Sequence, residues 1–491
     1  MDMNDSQSIR SKLEWVNEAT ITMIQRALED ETLSSEELVL FYMDRISREG
    51  QITNAILELN PHALQIAQTL DYERKTSGKR SMLHGIPILL KDNIDTGDAM
   101  HTSAGSLALE NYYAPQDAFL VKQLRNAGAI LLGKTNMTEW ANFMSADMPN
   151  GWSSRGGQVL NPYGQFEVGG SSSGSAVAVG TNLAVASIGT ETTGSIIHPS
   201  SQNGIVGLKP TIGAISRSGI IPLSVTQDTA GPMTRTVTDA AIVFEALLGQ
   251  DSDDPITIYS QKYDSMNYLD YLKKESLQGI SIGIASSVFR NEVSPERMKL
   301  FKESLKTLEQ LGAKIIPDID LGTKESDLGY NVLLHECKAA LNHYLGKTPI
   351  TNPIRSIADI ISFNNNHPEQ TLRYGQELLK KINERTGTLI EQPYIEALLR
   401  NRHLARKVAL GKALEQNGVD ILAFPQDHGC SFEAAAGYPA ITVPAGMTSS
   451  GEPFGLTFTG PAYSEHSLLG YAYAFEQQTQ VRRGLTVAQK K

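Results

Sequence analysis

The sequence predicts an α/β protein built around a largely buried sheet. Short apolar runs typical of buried strands alternate with segments whose apolar residues recur at helical spacing, and this alternation favours strands joined by helices. Strand signals occur towards both ends of the chain, and no linker rich in Pro, Gly and Ser separates them. We therefore expect one discontinuous sheet within a single domain that spans residues 1–491.

Residues 1–80 are predicted to form mainly N-terminal helices. Apolar residues recur at helical spacing between Asn17 and Arg48, and Ser34-Ser35-Glu36-Glu37 is typical of a capped helix start. The other elements predicted here are a strand over 55–59 and a helix over 61–73.

The most regular alternation of apolar runs and helical patterns occupies residues 83–248, which we expect to form the core. The run Gly85–Asn93 predicts a buried strand, yet it ends in Lys91 and Asp92. Lysine is seldom fully buried, so Lys91 is a candidate functional residue. The elements predicted next are a helix over 116–127, a strand over 129–132, a helix over 175–183, a strand over 185–189 and a helix over 239–248.

The remainder of the chain is predicted to add helices and then to return to the sheet. Residues 250–279 are acidic and rich in loop formers, and a strand is expected over 280–284. Residues 295–406 are mostly helical and polar, which indicates a helical layer on the core. Within 420–491 we expect strands over 421–425 and 440–444 and a closing helix over 464–478.

Composition excludes several classes of protein. The 43 basic and 54 acidic groups give a net charge of -11, which argues against nucleic acid or an anionic membrane as a partner. Cys337 and Cys430 form no C-x-x-C pair, and no histidine pattern has metal-ligand spacing. Because the N-terminal residues are polar and no long apolar run follows, we expect a cytoplasmic protein. We also expect a monomer or homodimer that binds no metal or other cofactor.

Two short motifs offer competing functions. Gly128–Thr135 matches the phosphate-loop pattern G-x-x-x-x-G-K-[ST], although its intervening residues are themselves an apolar strand pattern. Gly170-Ser171-Ser172-Ser173-Gly174 matches the G-x-S-x-G nucleophile elbow, which would make Ser172 the nucleophile and His428 its base. A plain turn at a helix start is the structural alternative for the second motif.

A set of five motifs in fixed order is more specific than any of them alone. They are Gly85-Ile86-Pro87 with Lys91-Asp92-Asn93, Gly169–Ser175, Gly189–Ile196, Asn203–Thr211 and Gln227–Met233. Together they resemble the amidase signature family, closely over about residues 83–248 and more weakly as far as Gly437–Ala440.

The resemblance implies an α/β fold whose central twisted mixed sheet is covered by helices on both faces. It also implies a Ser–cis-Ser–Lys triad: Ser195 as the nucleophile, Ser171 as the relay and Lys91 as the base. The backbone N–H groups of residues 192–195 (Thr192, Thr193, Gly194 and Ser195) would form the oxyanion hole. Gly170, Ser172 and Asp228 would support the triad, with a cis peptide between Gly170 and Ser171.

This chemistry requires a neutral lysine. A serine hydroxyl is a poor nucleophile until a base takes its proton, and a lysine is a base only when it is unprotonated. The apolar residues 86–90 supply the burial that lowers the pKa of Lys91 from about 10.4 toward 7.

Within the family the pattern resembles bacterial peptide amidases, which release ammonia from the C-terminal amide of a peptide. Most members carry an arginine where this chain has Ile197, and members that bind free acids carry one where it has His198. The residues expected to contact a small-molecule or peptide amide substrate are Trp140, Phe143, Trp152, His198, Gln426 and Asp427. The alternative function is the glutaminase (A) subunit of a tRNA-dependent amidotransferase.

Overall fold

The computed structural model describes residues 13–263 and 266–485, and its centre is an 11-stranded mixed sheet. The strand order is β1-β3-β2-β6-β8-β7-β12-β13-β11-β9-β10. The strands are β1 Ile56–Leu59, β2 Pro87–Lys91, β3 Ile130–Thr135, β6 Ala186–Glu191, β7 Val206–Lys209, β8 Thr229–Thr234, β9 Ser281–Gly283, β10 Lys314–Ile316, β11 Ile421–Pro425, β12 Ala440–Met447 and β13 Pro453–Thr459, with a separate hairpin of β4 Trp152–Ser153 and β5 Gly157–Gln158.

Helices connect and cover these strands. The α-helices are Ile21–Glu29, Ser35–Arg45, Gln51–Thr53, Ala63–Ser77, Phe119–Asn126, Ser173–Gly180, Ile197–Gln202, Val237–Leu247, Pro295–Gln310, Asn331–Lys347, Ile357–Asn366, Pro368–Thr371, Glu377–Asn383, Gln392–His403, Leu410–Gln416, Cys430–Ala436 and Glu465–Thr479. Short 3-10 helices are Glu14–Val16, Leu107–Leu109, Glu139–Asn142, Pro255–Lys262, Tyr268–Tyr271, Ser286–Val288 and Glu325–Asp327, and π-helical turns are Ile46–Gly50 and Leu404–Ala409. The predicted α/β class is therefore confirmed.

Distant parts of the chain meet in the one sheet. β12 pairs antiparallel with β7, so strands from the last 60 residues join directly to those of the core. The helix start predicted at Ser34 is also confirmed, because the Ser34 hydroxyl accepts the Glu37 N–H at 3.1 Å while the Glu37 carboxylate accepts the Ser34 N–H at 3.0 Å. Residues 1–12, 264–265 and 486–491, which belong to the predicted N-terminal, loop and C-terminal parts, lie outside the described residues.

Four strands of the central sheet escaped the sequence analysis, β7, β8, β10 and β13, and so did the two short strands of the separate hairpin, β4 and β5. β8 contains Gly231 and Pro232, residues that usually argue against a central strand. Here the glycine is needed because a Cβ atom at Gly231 would lie 2.0 Å from the Leu208 carbonyl oxygen. β10 lies within residues 295–406, which were predicted to be mostly helical, and it has only three residues.

Parallel pairing of β2 with β6 positions the candidate site. Leu90 lies opposite Ile188, and the two strands end at Lys91 and Glu191. The carboxyl ends of both strands therefore lie at the same edge of the sheet. Carboxyl ends of parallel strands are common places for active sites. No helix within the described ranges is long and apolar enough to cross a membrane.

A second apolar cluster covers this edge. It packs the segment around Trp140 and Trp152 against the helices Asn331–Lys347 and Glu377–Asn383. The helical layer predicted from residues 295–406 thus forms one wall beside the carboxyl ends of β2 and β6.

Candidate active site

Lys91 is the charged group at the centre of the site. It is the last residue of β2, where every residue is buried, and its own exposed fraction is 0%. The Nζ atom donates to the Ser171 hydroxyl at 2.8 Å and to the Thr190 carbonyl oxygen at 3.1 Å. The lysine and the first serine of the Gly/Ser stretch, 80 residues apart in sequence, are therefore in direct contact.

Burial changes the protonation of this lysine. Removal from water disfavours the ammonium form and lowers the pKa of Lys91 to about 7, although the carboxylates of Glu191 and Asp228 oppose that shift. A substantial fraction of neutral amine is thus present near neutral pH. An amine in this state can accept a proton from the hydroxyl that it contacts.

The backbone around Ser171 is tightly enclosed. The Gly170–Ser171 peptide is cis, which confirms the isomer that the family resemblance implies. A Cβ atom at Gly170 would lie 2.3 Å from Asn150 Oδ1, so any other residue there would require the Asn150 side chain to move. The Ser171 carbonyl oxygen accepts the Thr138 N–H at 3.0 Å.

Ser172 links two loops through backbone groups. Its hydroxyl donates to the Thr190 carbonyl oxygen at 3.0 Å and accepts the Thr190 N–H at 3.3 Å, while its own N–H donates to the Ser195 carbonyl oxygen at 3.2 Å. His428 instead lies 3.6 Å from Glu292, measured from its Nδ1 atom to Oε2. The contacts of Ser172 and His428 therefore do not form the pair that a nucleophile elbow requires.

The turn of residues 192–195 (Thr192, Thr193, Gly194 and Ser195) presents unpaired donors. Within residues 13–263 and 266–485, the N–H groups of Thr193, Gly194 and Ser195 donate to no acceptor. Gly194 has φ 75°, a left-handed conformation that glycine adopts without strain. Ser195 itself is 9% exposed. Such a row of free N–H groups can bind an anionic oxygen.

Two carboxylates, those of the buried Glu191 and the half-buried Asp228, contact this turn and the residues next to it. Glu191 accepts the N–H groups of Ile196 at 2.6 Å and Ile197 at 3.0 Å, which satisfies the start of the helix Ile197–Gln202. Asp228 accepts the Thr192 hydroxyl at 2.5 Å, and it also accepts two backbone N–H groups, those of Leu223 and Ser224, at 2.7 Å each. Burial raises the pKa of Asp228 to about 6.

His198 lies one helical turn after Ser195 and between two acids. Its Nε2 atom is 2.9 Å from Glu167, its Nδ1 atom is 4.0 Å from Asp427, and its N–H donates to the Gly194 carbonyl oxygen at 2.7 Å. Burial opposes the imidazolium, but the carboxylates of Asp427 and Glu167 outweigh it and raise the pKa of His198 to about 9. Two negative charges thus face one positive charge beside the turn.

The remaining predicted substrate residues are divided among several places. Trp140 and Phe143 line a small cavity of about 20 Å³ that also contacts Asn93. Trp152 packs edge-on against Tyr374, with ring centroids 5.2 Å apart, and does not line this cavity. Gln426 is buried, and its N–H donates to the Gly455 carbonyl oxygen at 2.8 Å.

The phosphate-loop alternative is not formed. Its residues Ile130–Thr135 are strand β3, so they present no loop of free N–H groups. Lys134 Nζ donates to the Ile94 carbonyl oxygen at 2.6 Å and to the Thr102 hydroxyl at 3.1 Å, which makes it a structural lysine. No group of three or more His, Cys, Asp or Glu side chains suited to a metal ion occurs among the described residues.

Sequence reasoning missed several groups that shape the site. Thr190 supplies the carbonyl oxygen shared by Lys91 and Ser172, and Glu191 supports the turn of residues 192–195. Asn93 donates through Nδ2 to the Thr190 hydroxyl at 3.0 Å. The sequence signal for Glu191 was an acidic residue inside a Gly/Thr-rich segment. The role of the Thr190 carbonyl oxygen could not be predicted, because every residue carries a backbone carbonyl.

The chain is similar to known amidases over most of its length. A family model described as Amidase matches residues 37–469. A probable amidase of Arabidopsis thaliana is 39% identical over 480 residues, covering 95% of this chain and 91% of that protein. The A subunit of a glutamyl-tRNA(Gln) amidotransferase from Thermoanaerobacter pseudethanolicus is 32% identical over 488 residues, covering 93% and 96%. The solved native peptide amidase of Stenotrophomonas maltophilia has a TM-score of 0.86 at 41% identity, covering 95% of this chain and 98% of that one.

Replacement of Lys91 should reveal its depressed pKa as a stability effect. Between pH 7 and 10.5 the unfolded chain holds a proton that folded Lys91 has released, so wild-type stability rises with pH across this window. Lys91→Met lacks this contribution. The free energy of unfolding of Lys91→Met minus that of wild type should therefore be larger at pH 6 than at pH 9 by roughly 3 kcal/mol. Denaturant unfolding at the two pH values measures this difference.

The exposed Lys75→Met is the matched control, since it also removes one lysine charge. A difference between wild type and Lys91→Met that stays constant from pH 6 to 9 would contradict the depressed pKa.

Proposed function

The chain belongs to the Amidase family, and on that basis we propose that it is a serine-dependent amidase. It hydrolyses a carboxamide to a carboxylate and ammonia through an acyl-enzyme, and the C-terminal amide of a peptide is its favoured substrate. The observation that carries this proposal is the 2.8 Å contact between Lys91 Nζ, whose pKa is about 7, and the Ser171 hydroxyl.

In the proposed acylation step Ser195 Oγ attacks the carbonyl carbon of the substrate amide. Its proton passes to Ser171 Oγ while the Ser171 proton passes to neutral Lys91 Nζ. After this step Ser195 Oγ is bonded to the substrate carbon, Ser171 is again a hydroxyl and Lys91 is an ammonium. Collapse of the tetrahedral intermediate breaks the C–N bond, and the proton returns through Ser171 to the departing nitrogen, which leaves as ammonia. Water then attacks the acyl-enzyme with the same proton path.

The turn of residues 192–195 is the proposed oxyanion hole. The unpaired N–H groups of Thr193, Gly194 and Ser195 support this role, because donors that are already oriented need no rearrangement when the oxyanion forms. Glu191 and Asp228 are proposed to keep the turn in position, and Ser172 to hold the Ser195 loop against Thr190. Each contributes through backbone or hydroxyl contacts away from the reacting carbon.

Local charge favours a hydrolase of peptide amides over a glutaminase subunit. The relation to an amidotransferase A subunit gives the glutaminase candidate its support. Free glutamine, however, carries a carboxylate, and the excess of acidic groups around His198 repels such a substrate. The relation to a peptide amidase at 41% identity supports the neutral, amide-capped substrate.

A fluorophosphonate probe should identify the nucleophile. We expect the probe to modify Ser195 of the wild-type chain, with the adduct located by peptide mapping, and Ser195→Ala to abolish both the adduct and ammonia release. Ser200→Ala is the matched control, because the Ser200 hydroxyl is buried on the helix that follows Ser195 and has no hydrogen-bond partner within the described residues. An adduct on Ser172 instead of Ser195 would overturn the proposed mechanism.

A substrate panel should separate the two candidate functions. The purified chain alone should release ammonia from a peptide amide such as N-acetyl-L-alaninamide at least about fivefold faster than from L-glutamine at equal concentration, since one unfavourable charge contact costs about 1 kcal/mol or more. Ammonia release that requires both glutamine and added partner proteins would instead identify an amidotransferase component.

A further inference from the structure

Glu336 is a buried carboxylate in the helical layer beside the candidate site. It lies on the helix Asn331–Lys347, and its exposed fraction is 0%. The hydrogen bonds that it accepts from the described residues all come from neutral donors, which belong to Ser224, Thr226 and Tyr394. Burying a carboxylate costs free energy unless donors surround it, and most of these donors come from one loop.

That loop covers residues 221–228, and we call it the bridging loop. Within it, Thr226 donates to the Glu336 carboxylate through its N–H at 3.1 Å and through its hydroxyl at 3.0 Å. The Ser224 hydroxyl donates to the same carboxylate, and so does the Tyr394 hydroxyl, at 2.9 Å, from another helix. Glu336 therefore attaches the bridging loop to the helical layer, although Thr226 precedes it by 110 residues.

The other side of the bridging loop contacts the turn of residues 192–195. Its last residue, Asp228, accepts the Ser224 N–H at 2.7 Å and the Thr192 hydroxyl at 2.5 Å. Ser224 thus contacts Glu336 through its hydroxyl and Asp228 through its N–H. The result is a continuous chain of hydrogen bonds from the helical layer to Thr192.

The turn depends on such outside contacts for its shape. Among the described residues, the N–H groups of Thr193, Gly194 and Ser195 donate to no acceptor, so hydrogen bonds of their own do not fix their orientation. The bridging loop contacts the turn a second time, because Gln227 Nε2 donates to the Thr193 hydroxyl at 3.5 Å. Loss of one oxyanion-hole donor costs about a hundredfold or more in kcat in related chemistry, so a small displacement of these groups is expected to slow the reaction.

We propose that Glu336 is a positioning residue for the oxyanion hole. It holds the bridging loop through Ser224 and Thr226, and the loop holds the turn of residues 192–195 through Asp228. This assignment rests on the proposed amidase function and adds a residue that lies outside all five sequence motifs. Because the turn binds an oxyanion only in the transition state, loss of Glu336 should lower kcat and leave KM nearly unchanged.

Replacement of Glu336 tests the proposal. Glu336→Met keeps a side chain of similar length but accepts no strong hydrogen bond, so the bridging loop loses its attachment. We expect kcat for ammonia release from N-acetyl-L-alaninamide to fall by about tenfold or more, with KM changed by less than about twofold. An unchanged kcat would overturn the proposal.

Tyr394→Phe is the matched control. It removes a hydrogen bond to the same buried carboxylate but leaves the donors of the bridging loop in place. It should change kcat by less than about twofold, even where it lowers the free energy of unfolding. Equal losses of kcat in Glu336→Met and Tyr394→Phe would show that only the general packing of Glu336 matters, which would overturn its positioning role.

A transition-state analogue separates positioning from partial unfolding. N-acetyl-boroalanine is a boronic acid that forms a tetrahedral adduct with a nucleophilic serine, and its oxygen occupies the oxyanion position. In Glu336→Met the inhibition constant should rise by about the factor by which kcat/KM falls. A variant that merely contains less folded enzyme would keep the wild-type inhibition constant, and that result would contradict the proposal.

A double-mutant cycle tests the path through Asp228. Thr192→Val removes the hydroxyl that Asp228 accepts, so it cuts the same chain of hydrogen bonds at its other end. Glu336→Met should therefore lower kcat by a smaller factor in the Thr192→Val background than in the wild-type protein. Independent effects, which multiply in the double variant, would overturn the path.

The outcomes separate this proposal from the proposed function. Absence of ammonia release from every amide tested with the wild-type chain would overturn the amidase proposal itself, whereas an active wild type with unaffected variants would overturn only the role of Glu336. If Glu336→Met does not fold, the double variant Ser224→Ala with Thr226→Val removes the hydroxyl donors from the loop side. It should then produce the same loss of kcat and the same rise in the inhibition constant.

Discussion

Burial of Lys91 is the constraint on which the rest of the site depends. The lysine ends a strand whose residues are all inaccessible to water, and the resulting drop in its pKa from 10.5 to about 7 corresponds to about 5 kcal/mol of destabilised ammonium. That cost is comparable with the whole stability of many domains, so a large core must offset it. An eleven-stranded sheet with helices packed against it provides such a core.

The loops around Lys91 are joined mainly through backbone groups. The Thr190 carbonyl oxygen accepts from both Lys91 and Ser172, the Ser195 carbonyl oxygen accepts from Ser172, and Glu191 satisfies the turn that carries Ser195. Parallel pairing of β2 with β6 brings these loops to one edge of the sheet. The geometry of the candidate site thus follows from the strand order as much as from the side chains that line it.

The sequence was informative where local chemistry determines structure. A lysine ending an apolar run, a Gly-Gly-Ser segment and a capping box at Ser34 each have a recognisable pattern, and the structure brings Lys91 into contact with Ser171. It was uninformative where long-range packing decides. β8 is a strand despite Gly231 and Pro232 because it pairs with β6 and β7, and glycine stands at 231 because Leu208 approaches too closely for a side chain. The left-handed turn at Trp140, where φ is 50°, likewise makes a hydrogen bond to the distant Ala104 carbonyl oxygen, which no local pattern reveals.

The pH dependence of kcat/KM for a peptide amide tests the central claim most directly. If neutral Lys91 is the base, kcat/KM should increase with pH through an inflection near 7 and then level off, because only the unprotonated amine can accept the proton. An inflection near 10, the ordinary value for a solvated lysine, would contradict the account. A rate independent of pH between 5 and 9 would contradict it equally.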